Sequence, residues 1–317
     1  MAAIHLLMLV AGSCTTDPIP RRQIMLDALS TPTTKGYVED TEMTDTSPEK
    51  LHTLPFEQPA RTIRLTTWLY PQTGNETEYF CEKTFVRESD GLWHGTPSVF
   101  WPIEGRLDMI GYSSTAPFPD NSIRFDRNRS TDALYLRFDK SYTQDDVLVS
   151  TAINKNVDDD AGRVPMTFNH SQAWIQFRLH TSTPAYDNIL KVHKIVLKDI
   201  YTTGTLLVEH PYGYTEGSWN FRLDLREDTP MDDVHGIYGK KMSTEMSYLD
   251  MLIPEQPMKD IILHYSLEGS EIVMQYRFTL PSAYWLMGKK YIYDISFGPH
   301  EITLMPTLED WDSQLKN

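Results

Sequence analysis

The sequence predicts an all-β protein built from two antiparallel β-sandwiches. Apolar and polar residues alternate with a period of two in several separate segments, which is typical of strands with one buried face. Turn sequences rich in glycine and proline separate these segments, and no comparable stretch repeats apolar residues at helical spacing. The length of 317 residues suits roughly two domains, each large enough to bury its own core.

The composition excludes several classes of protein. Asp and Glu number 44 against 29 Lys and Arg, so the formal net charge of −15 argues against a surface that binds nucleic acid. No run of apolar residues reaches the roughly 18 that a membrane-spanning helix needs. Two cysteines permit at most one disulfide, so the core must be hydrophobic rather than held by a disulfide framework.

The N-terminus has the pattern of a bacterial lipoprotein signal peptide over residues 1–13. A short apolar run, IHLLMLV, ends at Val10, and small residues then precede Cys14, as a lipoprotein signal peptidase requires. We therefore expect lipid attachment at Cys14, export, and a lasting membrane anchor. Cys81 would then be a lone thiol. An ordinary secretory signal and a buried first element remain alternatives. The positive segment expected before the apolar run is missing, since no Lys or Arg precedes Arg21.

Residues 14–60 predict a polar tether. They are rich in Thr, Pro, Asp and Glu and show little periodic apolar pattern, so they bury too little surface to offset the entropy of ordering the chain. Within the tether, Gln23 to Leu29 could form one or two helical turns. The composition thus predicts a flexible segment that lifts the body of the protein off a membrane.

The body is expected to form an N-terminal sandwich over residues 61–160 and a C-terminal sandwich over residues 161–317. The polar segment NKNVDDDAGRVP is the expected interdomain turn, and its aspartates lack the spacing of an EF-hand calcium loop. Glycine-containing turns after residues 267 and 297 lie at hairpin spacing between neighbouring strands. The clearest alternating segments lie at 62–70, 134–138, 173–180, 219–225 and 272–280.

We predict no catalytic, cofactor or metal site, and hence no enzyme. The ten histidines are scattered without zinc-ligand spacing, and neither a G-x-S-x-G elbow nor a phosphate loop of correct spacing is present. Aromatic residues could form a sugar-stacking platform, although most tryptophans in sandwiches pack in the core. The best candidates for exposed glycan contacts are Tyr212, Tyr214 and Trp285.

Five further segments carry a recognisable order of motifs. They are Phe100-Trp101-Pro102 with LDMIGY at 107–112, DVLV at 146–149, FNHSQA at 168–173 running into IQFRL, LIPEQ at 252–256, and GKKYIYDI at 288–295 followed by Ile302 and Trp311. In this order, after a lipoprotein signal and a tether, they resemble the fimbrillin-like proteins of Bacteroidetes. That family comprises subunits of type V pili and related surface lipoproteins. The fourth segment differs by one residue from the family's usual Ile-Pro-Gln.

The resemblance implies two tandem transthyretin-like sandwiches and assembly by strand exchange. In such pili a protease cleaves after an arginine near the first strand, the strand leaves, and a strand from another fimbrillin-like subunit fills the groove by β-augmentation. Candidate processing sites in this chain are Arg21, Arg22 and Arg61, and the alternative for each is an ordinary exposed arginine. No cofactor is implied.

The resemblance also implies a place at the cell surface. We expect a fimbrial component for cell adhesion, anchored by lipid to the outer membrane. A tip, accessory or anchor role suits the chain better than a shaft role, because six residues follow Trp311 and Pro306 removes a ladder donor from the last strand. The alternative function is a glycan-binding outer-membrane lipoprotein of a polysaccharide uptake system.

Overall fold

The computed structural model describes residues 22–30, 62–114, 125–128, 133–139, 147–209, 219–231, 237–280 and 282–310. Regular structure in these residues consists of strands and two short 3₁₀ turns, Asp159–Gly162 and Pro184–Tyr186. The all-β fold class is therefore confirmed. In the same residues, no helix has the length and apolar character needed to cross a membrane.

The described residues form twenty strands. The first nine are β1 (Met25–Ser30), β2 (Thr62–Tyr70), β3 (Thr77–Arg87), β4 (Trp93–Thr96), β5 (Arg106–Ser114), β6 (Phe125–Asn128), β7 (Ala133–Asp139), β8 (Leu148–Lys155) and β9 (Arg163–His170). The others are β10 (Ala173–Thr181), β11 (Leu190–Glu209), β12 (Trp219–Met231), β13 (Lys240–Lys241), β14 (Ser247–Ile253), β15 (Gln256–Pro257), β16 (Ile261–Leu267), β17 (Met274–Phe278), β18 (Tyr284–Trp285), β19 (Lys289–Phe297) and β20 (Ile302–Asp310).

Seven strands pair into a closed barrel in the order β1, β4, β3, β2, β5, β8, β9. Each neighbouring pair is antiparallel except β9 and β1, which run parallel and close the barrel. The alternation seen in TIRLTTWLY places Ile63 and Leu65 in the barrel core with Phe85 and Phe168. The sequence predicts an open sandwich here, whereas the strands form a closed barrel. The barrel closes because β1 pairs with β4 and β9, whose edges would otherwise remain unpaired.

A second unit places two sheets around one core. The first sheet has the order β14, β10, β19, β20, and the second has the order β17, β16, β11, β7, β6, with β12 and β13 also pairing with β11. Alternating residues of β10, such as Ile175 and Phe177, meet Val192 of β11 and Ile295 of β19 in this core. The hairpins β16–β17 and β19–β20 confirm the two predicted turns after residues 267 and 297.

The division between the units falls after His170, not at residue 160. β9 pairs with β8 and β1, and it buries Val164 and Met166 in the barrel core. The polar segment that the sequence marks as an interdomain turn therefore joins two strands of one barrel. Polar turn composition indicates a surface connection, but it carries no information about which strands the connection joins.

Strands β6 and β7 also cross the predicted boundary. They lie in sequence within the predicted N-terminal sandwich, yet β7 pairs with β11 of the second unit, with Leu136 opposite Leu206. The 20-residue strand β11 therefore carries β7 on one side and β12 on the other.

The predicted tether contains a strand of the barrel. β1 lies inside residues 14–60, and the helical turns expected from Gln23 to Leu29 are wrong. Ile24 and Leu26 are both 0% exposed, so this segment contributes to the core rather than to a flexible connection. Thr, Pro and Asp residues on either side make the average composition of this region polar. Average composition therefore does not reveal the short buried strand.

Candidate functional site

β1 is held between two strands that come from later in the chain. It pairs in parallel with β9 over six positions, from Met25 opposite Arg163 to Ser30 opposite Phe168. On its other side it pairs antiparallel with β4, where Leu26 lies opposite Trp93. Neither partner is adjacent to β1 in sequence, so β1 occupies a cleft that the rest of the barrel forms around it.

The cleft is apolar along its floor. Ile24 and Leu26 point into the barrel core, and the partly buried Ala28 packs against the same cluster. Other buried residues of the barrel core complete this floor, and they include Phe85, Trp93, Val164, Met166 and Phe168. Burial of each large aliphatic side chain contributes about 1.5–3 kcal/mol, so Ile24 and Leu26 are the main anchors of β1.

The chain enters the cleft beside Trp101. The backbone N–H of Trp101 donates to the carbonyl of Arg22 at 2.9 Å, and the N–H of Ile24 donates to the carbonyl of Val99 at 2.9 Å. The indole Nε1–H of Trp101 donates to the carbonyl of Gly162 at 3.1 Å. Trp101 thus joins the start of β1 to the turn that precedes β9.

The predicted processing sites lie on different sides of β1. Arg22 is exposed and is separated from the strand by Gln23 and Ile24, with its backbone already bonded to the barrel. Arg61 directly precedes β2, and it lies outside the described residues, as do Arg21 and Cys14. A cut after Arg22 would leave β1 joined to the body through residues 31–61, whereas a cut after Arg61 would separate β1 from the body.

One predicted glycan contact is wrong. Trp285 is 0% exposed, and its Nε1–H donates to the hydroxyl of Tyr293 at 2.8 Å. Its indole fills the core of the second unit and offers no face to a sugar, as is usual for tryptophan in sandwiches. The other two candidates, Tyr212 and Tyr214, lie outside the described residues.

The described part of the chain gives little support for a metal site or a catalytic site. There, no group of three or more His, Cys, Asp or Glu residues could hold a metal ion. Cys81 is an exposed thiol on β3, and its Sγ accepts a 3.7 Å contact from the hydroxyl of Thr66. Neither observation indicates a catalytic centre.

Comparison with known proteins assigns the family. A model of the fimbrillin-like family matches residues 56–311. The chain belongs to the fimbrillin-like family. No curated protein sequence matches it.

Solved structures share the fold of this fimbrillin-like chain. A fimbrial protein from Bacteroides vulgatus ATCC 8482 is 14% identical with a TM-score of 0.58, covering 92% of this chain and 100% of that chain. A candidate cell adhesion protein from Bacteroides uniformis ATCC 8492 is 13% identical with a TM-score of 0.55, covering 92% and 99%. Another from Bacteroides ovatus ATCC 8483 is 13% identical with a TM-score of 0.51, covering 92% and 98%.

The motifs that carried the resemblance have structural roles in this fimbrillin-like chain. The Gln256 side chain, 1% exposed, accepts from the N–H of Tyr201 at 2.6 Å and donates to the carbonyl of Tyr201 at 3.0 Å. It thereby satisfies backbone groups where β11 bulges near Ile200. In the closing hairpin, the Tyr291 hydroxyl donates to the carbonyl of Tyr284 at 2.9 Å. These motifs support the second core.

The third motif joins the two units. Both the N–H and the hydroxyl of Ser171 donate to the carbonyl of Val147, at 2.9 and 2.7 Å. The next residue, Gln172, accepts from the N–H of Gly288 at 2.8 Å. The junction between barrel and second unit is therefore bonded to both, immediately after β9 and thus close to one end of the cleft that holds β1.

Proposed function

We propose that this chain is a fimbrial component at the cell surface that assembles into a type V pilus by strand exchange and mediates adhesion. The observation that carries the proposal is β1, a short strand held in an apolar cleft between two strands distant in sequence. Its departure would expose backbone donors and acceptors of β4 and β9 along the same length as the pockets left by Ile24 and Leu26. A strand from another fimbrillin-like subunit would regain both sets of interactions.

Arg61 is the processing site that fits this proposal. Cleavage there breaks the covalent connection of β1 to the barrel, while cleavage after Arg22 leaves it intact. The bonded backbone of Arg22 is a further argument against that site, because proteases act on extended segments free of the fold. Arg21 lies on the same side of β1 as Arg22, so a cut there would also retain the strand.

The orientation of β1 specifies how a replacing strand would enter. β1 runs parallel to β9 and antiparallel to β4. A replacing strand in the same orientation would place two large apolar residues where Ile24 and Leu26 lie, and a small one at the position of Ala28. The reverse orientation would change the hydrogen-bond pattern with both neighbouring strands.

A tip, accessory or anchor position is proposed in preference to a shaft position. The last described strand, β20, pairs with β19 along nine positions and packs Ile302 and Leu304 against the second core. It is thus engaged in its own unit rather than held out as a donor. We place the lipid anchor at Cys14 and the protein at the outer membrane, and we take both units as variants of the transthyretin-like sandwich, the first closed by β1.

The test uses the full chain, an arginine-specific protease and mass spectrometry. We expect a cut after Arg61, followed by binding of a fluorescent peptide of residues 22–30 to the cleaved protein but not to the intact protein. A peptide with Leu26→Asp should bind at least tenfold more weakly, because it would bury a charge in the cleft. Arg61→Gln should abolish peptide binding after protease treatment, and Arg22→Gln is the matched control.

Two results would count against the proposal. If the Arg61→Gln variant still gained peptide binding after treatment, the processing site would be wrong. If the cleaved wild-type protein neither released β1 nor bound the peptide, strand exchange at this cleft would be wrong. Self-polymerisation into ladders on a gel would support exchange but contradict the preference for a tip, accessory or anchor position.

A further inference from the structure

A cavity opens on the barrel wall beside the start of β1. Its volume is about 590 Å³, within the range of roughly 300–1,000 Å³ typical of small-molecule sites. Its walls come from the end of β2, the loop before β5, and the end of β8 with the turn that follows. Trp101, which holds the carbonyl of Arg22, forms part of the wall.

The inner wall of the cavity is polar and fixed. The Asp108 carboxylate is 5% exposed and accepts from the N–H of Asn154 at 2.6 Å. Burial, together with the charges of Asp108 and Glu76, raises the pKa of Tyr70, so its phenol remains a donor. The Asn154 carbonyl accepts from the guanidinium of Arg106 at 2.8 Å, and Asn154 has a positive φ of 58° near the end of β8.

The outer rim presents groups that can meet a ligand. Glu104 and Asp158 are exposed acidic residues in the lining, and Asn154 adds a carboxamide. Ile103 is 77% exposed and supplies an apolar surface on the same rim. Acceptors, a donor amide and an apolar wall together match a ring that carries several hydroxyl groups on one side and C–H groups on another.

Charge restricts the class of ligand. Three carboxylates, those of Glu104, Asp108 and Asp158, line the cavity, against the single guanidinium of Arg106. Acidic sugars and phosphates would therefore meet a net negative site. The mixed amide, hydroxyl and apolar lining is less suited to a simple amine than to a hydroxyl-rich ring.

We infer that this cavity binds a non-acidic saccharide residue. It lies on the barrel wall rather than in the cleft of β1, and it is distinct from Tyr212, Tyr214 and Trp285, the positions that the sequence favoured for glycan contact. Its existence does not depend on strand exchange, because every wall-forming residue belongs to strands or loops other than β1. A negative result for strand exchange therefore does not contradict saccharide binding in the cavity, and the reverse also holds.

The test measures binding of methyl glycosides of glucose, galactose, mannose, fucose, glucosamine and N-acetylglucosamine to the full chain at millimolar concentration. The indole N–H signal of Trp101, assigned with Trp101→Phe, reports directly on the cavity in a nitrogen-15 correlation spectrum. We expect at least one glycoside to shift that signal in a saturable way. The double variant Glu104→Ala and Asp158→Ala should weaken binding at least tenfold, and Glu271→Ala, an exposed acidic residue on a distant turn, should not.

A second variant tests the cavity without removing charge. Ile103→Ser removes the apolar rim and should weaken the same glycoside severalfold, while its thermal unfolding stays like that of the wild type, because the side chain is largely exposed. Absence of any titratable glycoside, binding unaffected by the double variant, or preferential binding of sialyllactose or of a lysine-rich peptide would each overturn the inference.

Discussion

Replacement of Leu26 by alanine tests whether β1 is part of the folded barrel. Leu26 is 0% exposed and lies opposite Trp93 of β4 and Val164 of β9. Removing three buried carbon atoms forfeits about 2.4 kcal/mol at about 0.8 kcal/mol each. The cavity left in a closed barrel adds to this, so we expect Leu26→Ala to lower the free energy of unfolding by about 2–5 kcal/mol.

Chemical denaturation of the full chain measures this change, and hydrogen exchange locates it. Because the chain has two cores, exchange should quicken in β4 and β9 but not in β19 of the second unit. Asp27→Ala is the matched control, since Asp27 is exposed on the same strand and its replacement should change stability by less than about 0.5 kcal/mol.

The reasoning fails if Leu26→Ala behaves like Asp27→Ala. A change below about 0.5 kcal/mol would mean that residues 22–30 act as the flexible tether that their flanking composition predicts. Equal loss of protection in β19 would mean that the two cores unfold as one unit, and the effect could then not be assigned to β1.

Three further predictions concern the second unit. Trp285→Phe should lower the free energy of unfolding by about 1–3 kcal/mol in denaturation experiments, because the buried hydroxyl of Tyr293 loses its donor; an unchanged midpoint would contradict this. Gln256→Leu should cost about 1–3 kcal/mol for each backbone group of Tyr201 left unsatisfied, and Gln256→Glu should not rescue it, because a buried carboxylate would face the carbonyl of Tyr201. Burial and neighbouring positive charge lower the pKa of His264, so the unfolded chain takes up a proton more readily than the folded chain. The free energy of unfolding should therefore fall as pH drops below about 6.5. His264→Gln should reduce that loss between pH 7.5 and 5.5.

Strands with long alternating patterns could be predicted from the sequence because their signal is local. TIRLTTWLY needs only its own residues to reveal a buried face, and β2 occupies the same positions, 62–70. The segment that leads into and forms β1 buries Ile24 and Leu26, with Ala28 partly buried, but Met25 between them is itself apolar. So short and imperfect an alternation does not stand out against the polar residues around it.

Partners of strands could not be predicted, because pairing depends on distant parts of the chain. β7 shows clear alternation, yet nothing in its residues indicates that it pairs with β11 rather than with the barrel. The segment before β9 likewise has the composition of a linker and serves as a hairpin connection. Burial of Trp285 follows from the position of β18 over Tyr293, which is again a tertiary contact.

The covalent connection between β1 and the barrel has a consequence for stability. Residues 31–61 link Ser30 to Thr62, so β1 finds its cleft as part of the same molecule. A cut anywhere in this connection leaves every contact of β1 unchanged, yet its binding becomes bimolecular and loses the high effective concentration that the linkage provides. Occupancy of the cleft would then fall on dilution and rise with added strand, so the stability of the barrel becomes dependent on the concentration of a separate peptide.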